Sequence, residues 1–548
     1  MTGARAKALL LGAGPLLLLL LALSARALTL SQRHLVPVYD EVGYLAESRD
    51  FARRGTAGVV SCYLRGECRG DNRNPLYELL LAPLMNGGAG DFAVGKTLTL
   101  ATGLLLVLCV FGFSRALWGR DAGLAAACVP ALSWATANLA QTVLADVLYA
   151  ALFFCALGAL MLWEDRREGW LAFGLLAGLA FLAKGSGHFL LLPAAAVAGY
   201  RARRGKTWLA PFGAALGGFI LGAGLVLWRN LRVWGSPFYN INAKVVWLDD
   251  WSTTWTFAAR PELWKKVGLL PYLRHHNLAD IVTRLADGGV KMTQMLLSVA
   301  GPEPAAWTAG AAGPAAVAAA AWGLRLTWKD GRRSRAVAAL AATLPLLLAH
   351  AWGSAVGING PRFMLPLAAV LSPFAALGAR DGLRRLWAAS PPPAAARAVA
   401  APALVGLAAA VALAGSAAGF DYDPRRLWTV PPNWQETTDW VKAHVDDKGF
   451  LVSENSFYAA WDSDRDPRKL ATYEVFDDAL RAQADALGVR FMLLDARDPS
   501  TRQWPERLGP SDAYGPKSFM GWPRAFHDSL RPSQLLLYER PKASPRAR

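Results

Sequence analysis

The stretch ALLLGAGPLLLLLLALSARAL, Ala8 to Leu28, decides the fold, because its one internal charge is Arg26 near its end. A helix rises about 1.5 Å per residue, so roughly 20 such residues cross the 30 Å hydrocarbon layer of a bilayer. The alternative is a cleaved signal peptide: Arg5 and Lys7 precede the run, and Ser24, Ala25 and Ala27 are small residues near its end. The run is longer than a typical signal core, and similar runs recur along the chain.

Working outward, comparable apolar runs occupy residues 92–113, 122–138, 142–162, 170–184, 188–200, 209–228, 303–324, 336–352, 361–378 and 397–418. With the first, they make about eleven expected spans. The composition agrees, since 54% of the 548 residues are hydrophobic and only 18% charged, which excludes an ordinary soluble domain. The sequence therefore predicts a polytopic α-helical membrane protein.

Short loops set the orientation, because Lys and Arg mark the cytoplasmic side. Arg115 and Arg120, Arg166 and Arg167, Arg201 through Lys206, Arg325 through Arg335, and Arg380 through Arg385 fall in alternate turns. That places the N-terminus inside and three polar segments outside: residues 29–91, residues 229–302 and the tail from 419. The net charge of +17 is mostly this topological signal plus a basic tail. No nucleic-acid module accompanies it, so nucleic acid is not an expected partner.

Composition shifts abruptly after the last span, dividing the chain into a membrane module, 1–418, and a C-terminal domain, 419–548. In the tail, Gly449–Ser453, Val489–Leu494 and Gln534–Glu539 read as strands, and Trp434–His444 and Asp477–Leu487 as helices, which predicts a small α/β domain. It lacks a glycine-rich nucleotide fingerprint, so a supporting or acceptor-handling role is expected. The amphipathic stretches Glu41–Arg54 and Arg284–Leu297 are expected to lie along the membrane surface and roof a cavity. Residues Ser390–Ala396 read as a linker, and no fixed-period repeat is visible.

Cys109, Cys128 and Cys155 fall inside spans, as small core residues do. Cys62 and Cys68 share the first external segment, and two readings stand for them: a loop-closing disulfide, or two free thiols.

Chemistry is expected where ionisable residues meet the outer surface. Directly after the first span comes Pro37-Val38-Tyr39-Asp40-Glu41-Val42-Gly43-Tyr44-Leu45. A carboxylate at the depth of a lipid head group can act as general base on an incoming acceptor. Helical neighbours point about 100° apart, so Asp40 and Glu41 do not both face one reacting centre. The competing reading is an acidic pair that opens a surface helix and complements its dipole. Asp146, in Gln141-Thr142-Val143-Leu144-Ala145-Asp146, is expected several residues inside the fourth span, where an acid is a functional candidate, with helix capping as its alternative. Lys184 and Arg362 sit at the external ends of the fifth and tenth spans. There they suit a phosphate, or else snorkel to the phosphates of bulk lipid.

The ordered set of motifs resembles the glycosyltransferase-C superfamily, near its protein mannosyltransferase and aminoarabinose transferase branch. The residues are Asp40-Glu41, Asn74-Pro75-Leu76-Tyr77, Asp146, Leu182-Ala183-Lys184-Gly185 and Arg362-Phe363-Met364-Leu365-Pro366, over roughly residues 1–380. The resemblance implies an inverting transferase in a bacterial inner membrane with its C-terminal domain periplasmic. It would move a hexose or pentose from a polyprenyl-phosphate carrier to a protein, glycan or lipid acceptor, as in lipid A modification. It also implies catalytic roles for Asp40, Glu41 and Asp146, and phosphate binding by Lys184 and Arg362. Tyr44, Asn74, Tyr77, Arg229, Asn230, Tyr239 and Asn240 are expected near the cavity. Two departures stand out: Ala145 replaces a polar residue common in relatives, and adjacent His275 and His276 do not make a metal set, which leaves a divalent cation open. The rival class is a transporter or lipid flippase, which predicts ionisable groups near the bilayer midplane and repeated halves.

Overall fold

The computed structural model describes residues 3–37, 40–68, 73–88, 90–249, 266–299, 307–354, 360–389, 393–418, 432–445, 450–452, 471–472, 490–495, 509–519, 521–533 and 535–541. Each expected span contains helix: Gly3–Ser31, Asp91–Trp118, Arg120–Leu132 with Trp134–Ala140, Asp146–Trp163, Arg167–Ala183, Leu191–Arg203, Leu209–Trp234, Trp307–Lys329, Arg333–Ser354, Leu365–Ala389 and Ala394–Ala418. Among the described residues, six helices are by themselves long and apolar enough to cross a bilayer. A seventh crossing arises if the pair Arg120–Leu132 and Trp134–Ala140, bent by 61°, counts as one span. That bend has a local cause: Ser133 is extended and caps the second helix by accepting from the Thr136 N–H.

Two expected spans end differently from the hydropathy pattern. The helix Arg167–Ala183 stops before Lys184, which is extended, and residues Gly185–Leu190 form a 3-10 turn before Leu191–Arg203 begins. The fourth helix starts at Asp146 rather than at residue 142, because Thr142 turns back to the Leu139 carbonyl. Both changes put polar residues at helix ends and not inside apolar runs.

The basic turns meet at one end of the bundle. Arg201 donates to the Glu164 carbonyl, Ser334 to the Glu164 carboxylate, Arg332 to the Leu117 carbonyl and Arg380 to the Trp118 carbonyl. The helix Asp146–Trp163 connects this end to the opposite one, where Asp146 and Lys184 lie.

At that opposite end the stretch expected as a surface helix runs Asp40–Arg65, with a break at Gly55, whose φ of 67° favours glycine. A buried ion pair of 2.8 Å between Arg49 and Asp91 ties it to the start of the Asp91–Trp118 helix. The second amphipathic stretch forms Leu278–Val299 and packs on Arg333–Ser354; Arg284 inserts there, donating to the Trp352 and Val246 carbonyls. The Ser390–Ala396 linker falls partly outside the described residues, and helix resumes at Ala394.

In the tail, helix Pro432–His444 accompanies a sheet with strands β1 Phe450–Val452, β2 Ala471–Thr472, β3 Phe491–Asp495, β6 Ser518–Phe519, β7 Trp522–His527 and β8 Leu535–Glu539. Their order is β2-β1-β3-β8-β7-β6, and β4 Ser511–Asp512 pairs separately with β5 Gly515–Pro516. β1 pairs parallel to β2 and β3, whereas β8 is antiparallel to both neighbours. The helix covers this sheet through Trp440, which packs on Phe526 and Phe491. The expected helix Asp477–Leu487 lies outside the described residues.

Helices Arg167–Ala183 and Leu209–Trp234 approach most closely through glycines spaced by four. A Cβ on Gly174 would lie 2.0 Å from the Ala215 carbonyl oxygen, and one on Gly218 2.4 Å from that of Leu171. Gly178 and Gly222 repeat the contact at 2.6 Å and 2.8 Å from the Phe219 and Leu175 oxygens. In lipid, association rests on such backbone proximity because the hydrophobic effect gives no preference for helix over acyl chain. Gly174→Leu is expected to destabilise the purified protein in detergent by about 3 kcal/mol or more. Gly217→Ala on the same helix, with nothing within 4 Å, should leave the thermal midpoint unchanged. Equal midpoints for both variants would remove this packing account.

Candidate active site

Asp40 is the first residue of its helix, and its two oxygens are held from different directions. Arg362 Nη1 donates to Oδ2 at 2.9 Å and Arg73 Nη2 to Oδ1 at 3.3 Å. Glu41 diverges from it and is buried: one oxygen pairs with His34 Nε2 at 2.7 Å and the other accepts from the Val143 N–H at 2.8 Å. The 100° turn between helical neighbours thus gives one carboxylate to an open cluster and the other to the bundle wall.

Asp146 opens its helix at the same end and pairs with the Lys184 ammonium. Lys184 reaches it because Arg167–Ala183 terminates one residue earlier. The Phe363 ring joins the two ion pairs, with Lys184 Nζ 4.6 Å and the Arg362 guanidinium 5.1 Å from its centroid. A cation over an aromatic face gains electrostatic energy while keeping its hydrogen-bond donors available. Asp40, Arg362, Phe363, Lys184 and Asp146 form one continuous cluster.

Burial alone would raise the Asp40 pKa; Arg73, Arg362 and Lys184 outweigh it and hold the carboxyl at about 2. Arg73 itself loses by burial, but Asp40, Glu47, Tyr44 and Glu78 more than restore its charged form. Arg73, Glu47 and Glu78 were not singled out by the sequence reading. Arg73 had a signal, since it directly precedes the Asn74-Pro75-Leu76-Tyr77 element. Glu78 is fully buried, and burial and Glu47 push its carboxyl pKa well up.

The other expected cavity residues separate into two groups. Tyr44 carries the Arg73 guanidinium 5.3 Å above its ring and packs edge-on against Tyr77, whose hydroxyl bonds to Gly95 and Thr99. Asn74 donates to the Phe181 carbonyl, three residues before Lys184, and the Asn240 amide crowds Gly185. These four brace the cluster. Arg229, Asn230 and Tyr239 lie behind it. Arg229 is buried against the Tyr63 ring and the Cys68 carbonyl, Asn230 donates to the Pro237 and Tyr239 carbonyls, and Tyr239 stacks on Trp234. Cys62 and Cys68 are joined in a disulfide beside Arg229.

Among the described residues, no three His, Cys, Asp or Glu side chains converge to hold a metal ion. His276 stacks on Tyr272 and pairs with Asp249 at 3.1 Å, apart from His275. The acids of the cluster are matched to organic cations, so this donor set does not fit a resident divalent ion.

A helical membrane scaffold with an ion-paired cluster at one end is the class that fold and site define, and the chain resembles the glycosyltransferase-C enzymes. The family described as dolichyl-phosphate-mannose-protein mannosyltransferase matches residues 84–228. ArnT from Cupriavidus metallidurans, solved bound to undecaprenyl phosphate, superposes with a TM-score of 0.54 at 12% identity over 95% of this chain and 97% of its own. The Archaeoglobus fulgidus oligosaccharyltransferase, solved with Zn and sulfate, gives 0.52 at 14% identity over 86% and 68%. No curated protein matches the chain. At these identities the structural likeness establishes the fold.

Asp146 is 4% exposed and Lys184 24%, so each charge depends on the other. Asp146→Asn is expected to destabilise by about 3 kcal/mol, since it strands a half-buried ammonium. Asp146→Asn combined with Lys184→Met should recover part of that loss. A double-mutant cycle of thermal midpoints measures the coupling, and strict additivity would deny the pair.

Proposed function

We propose that the protein is an inverting glycosyltransferase that moves a sugar from a polyprenyl-phosphate carrier to an extracytoplasmic acceptor. The observation that carries this reading is Asp40 held between Arg73 and Arg362 beside the Lys184–Asp146 pair, all at one end of an apolar bundle. Three cations, Arg73, Arg362 and Lys184, converge there on two carboxylates, an array whose donors suit a phosphodiester monoanion. The undecaprenyl phosphate on the ArnT neighbour and the dolichyl-phosphate donor in the matching family's description favour the same ligand class.

In this mechanism Arg362, Arg73 and Lys184 bind the donor phosphate. The acceptor hydroxyl oxygen attacks the anomeric carbon from the face opposite the phosphate, while Asp40 takes its proton. The C–O bond to phosphate breaks, and the cations stabilise the charge that grows on the departing polyprenyl phosphate. Glu41 and Asp146 serve as positioning residues. Glu41 fixes the start of the Asp40 helix against Val143, and Asp146 aims Lys184. The membrane is a bacterial inner membrane with the basic turns cytoplasmic, and residues 419–548 form a periplasmic domain that handles the acceptor. Clustering of these groups at one end, rather than halfway along the helices, argues against a transporter.

Phosphate binding competes with Asp40 for its two guanidinium groups, so donor binding raises the carboxyl from its resting value of about 2 and strengthens it as a base. The donor phosphodiester does not titrate in the working range. The acid limb of kcat should therefore lie at higher pH than that of kcat/KM, because kcat reports the complex and kcat/KM the free enzyme. Coincident limbs would exclude this competition.

The direct test is reconstitution in vesicles with radiolabelled polyprenyl-phosphate sugars and a panel of protein, lipid and glycan acceptors. Wild type should transfer label, Asp40→Asn should lose it by at least about a hundredfold, and Arg362→Ala should raise KM for the donor. Undiminished transfer by both variants would sink the mechanism.

A further inference from the structure

Lys96 lies outside the cluster described above. It sits one turn into the Asp91–Trp118 helix and is 6% exposed. Its Nζ donates to the His34 carbonyl at 3.0 Å and rests 4.5 Å from the Phe92 ring centroid. Among the described residues no carboxylate lies within ion-pair distance of it. Glu41, the neighbouring acid, is already taken by His34 and Val143. A buried ammonium has three donors to satisfy, and among the described residues the His34 carbonyl is its one hydrogen-bond acceptor.

Lys96 lines a cavity of about 100 Å³ between three helix ends, with Ala27, Leu28, Ser31, Thr97 and Gln141 among its other walls. Gln141 is also nine-tenths buried, and among the described residues its Oε1 has no hydrogen-bond partner. The cavity is graded. Ser31 and Gln141 lie at the ends of their helices and Lys96 and Thr97 in the second turn of theirs, while Ala27, Leu28 and Leu100 lie about a turn deeper. Leu28 and Thr97 are exposed on the outer face of the bundle, where lipid would lie, whereas Ala27, Ser31, Ala93 and Lys96 are buried. An opening of this kind admits a ligand with an anionic group, neighbouring hydroxyls and an acyl chain below.

We infer that this cavity is a second lipid site, which takes the head group of a hydroxylated anionic phospholipid from the same leaflet as the Asp40 cluster. The phosphodiester neutralises Lys96, a head-group hydroxyl donates to Gln141 Oε1, and the acyl chains leave past Leu28 and Leu100. Volume supports the assignment, because 100 Å³ exceeds what one or two waters fill. The site is separate from the proposed donor site, and its existence does not depend on the transferase reading.

The test places the full chain in nanodiscs of equal phosphatidylglycerol and phosphatidylcholine, then counts retained lipids by native mass spectrometry. Wild type is expected to retain phosphatidylglycerol in preference to phosphatidylcholine. Lys96→Met should lose that preference by at least tenfold, and Arg362→Ala should keep it, which separates this site from the donor site. Equal retention of the two lipids by wild type, or undiminished retention by Lys96→Met, would overturn the inference. Should Lys96→Met fail to elute as a folded species, Thr97→Trp, which plugs the exposed mouth, decides. Loss of the adduct supports the site, and retention overturns it. Inorganic phosphate titrated onto the protein in neutral detergent should give no Lys96-dependent thermal shift; such a shift would mark a free-anion site and overturn the lipid assignment.

Discussion

Asp40 and Arg362 are 322 residues apart in sequence and 2.9 Å apart in space, at one end of an apolar bundle. A charge at such a boundary is stable only when matched, so the pair draws the start of the surface helix Asp40–Arg65 onto the segment that opens Leu365–Ala389. Arg73 adds a third strand of chain to the same carboxylate. The site therefore forms only when early and late helices have docked. Its geometry depends on bundle packing as much as on local sequence.

The same matching extends inward. Asp146 holds Lys184, Phe363 lies under both cations, and Glu41 is satisfied by His34 and the Val143 amide. Each acid faces a defined donor, and the donors come from separate segments of the chain, at or between helix ends. A ligand phosphate entering this array meets cations that are already oriented. It trades one anion for another and does not order loose side chains, which is how preorganisation lowers the cost of binding.

Much of this was legible in the sequence, because crossing a bilayer imposes length and apolarity that no neighbouring residue can disguise. The limits came where helices end. Hydropathy averages over about twenty residues, so it extended the fourth span through Thr142–Ala145 and ran the fifth through Lys184, whereas hydrogen bonding stops both at polar residues. Asp40, Glu41, Asp146, Lys184 and Arg362 were visible as charges in unusual places. Arg73 was hidden among the charges of an external segment, and Glu78 inside the short apolar stretch Leu76–Leu81. Lys96 was absorbed into the span 92–113, although a lysine within an apolar run is a signal in itself. The strand Trp522–His527 has little β character in its sequence. It follows from pairing with Leu535–Glu539, which is a tertiary cause.

The glycine seam between Arg167–Ala183 and Leu209–Trp234 bears on more than adhesion. Carbonyls of each helix fill the space that side chains would occupy on the other, so the two cannot slide lengthwise without collision. One ends at Lys184, and the other continues through Asn230 to the turn that sets Asn240 against Gly185. The seam thus acts as a depth gauge. It fixes how far below the aqueous boundary the lysine ammonium sits, and so which atoms of a membrane-anchored molecule, counted from its hydrocarbon tail, can come level with Asp40.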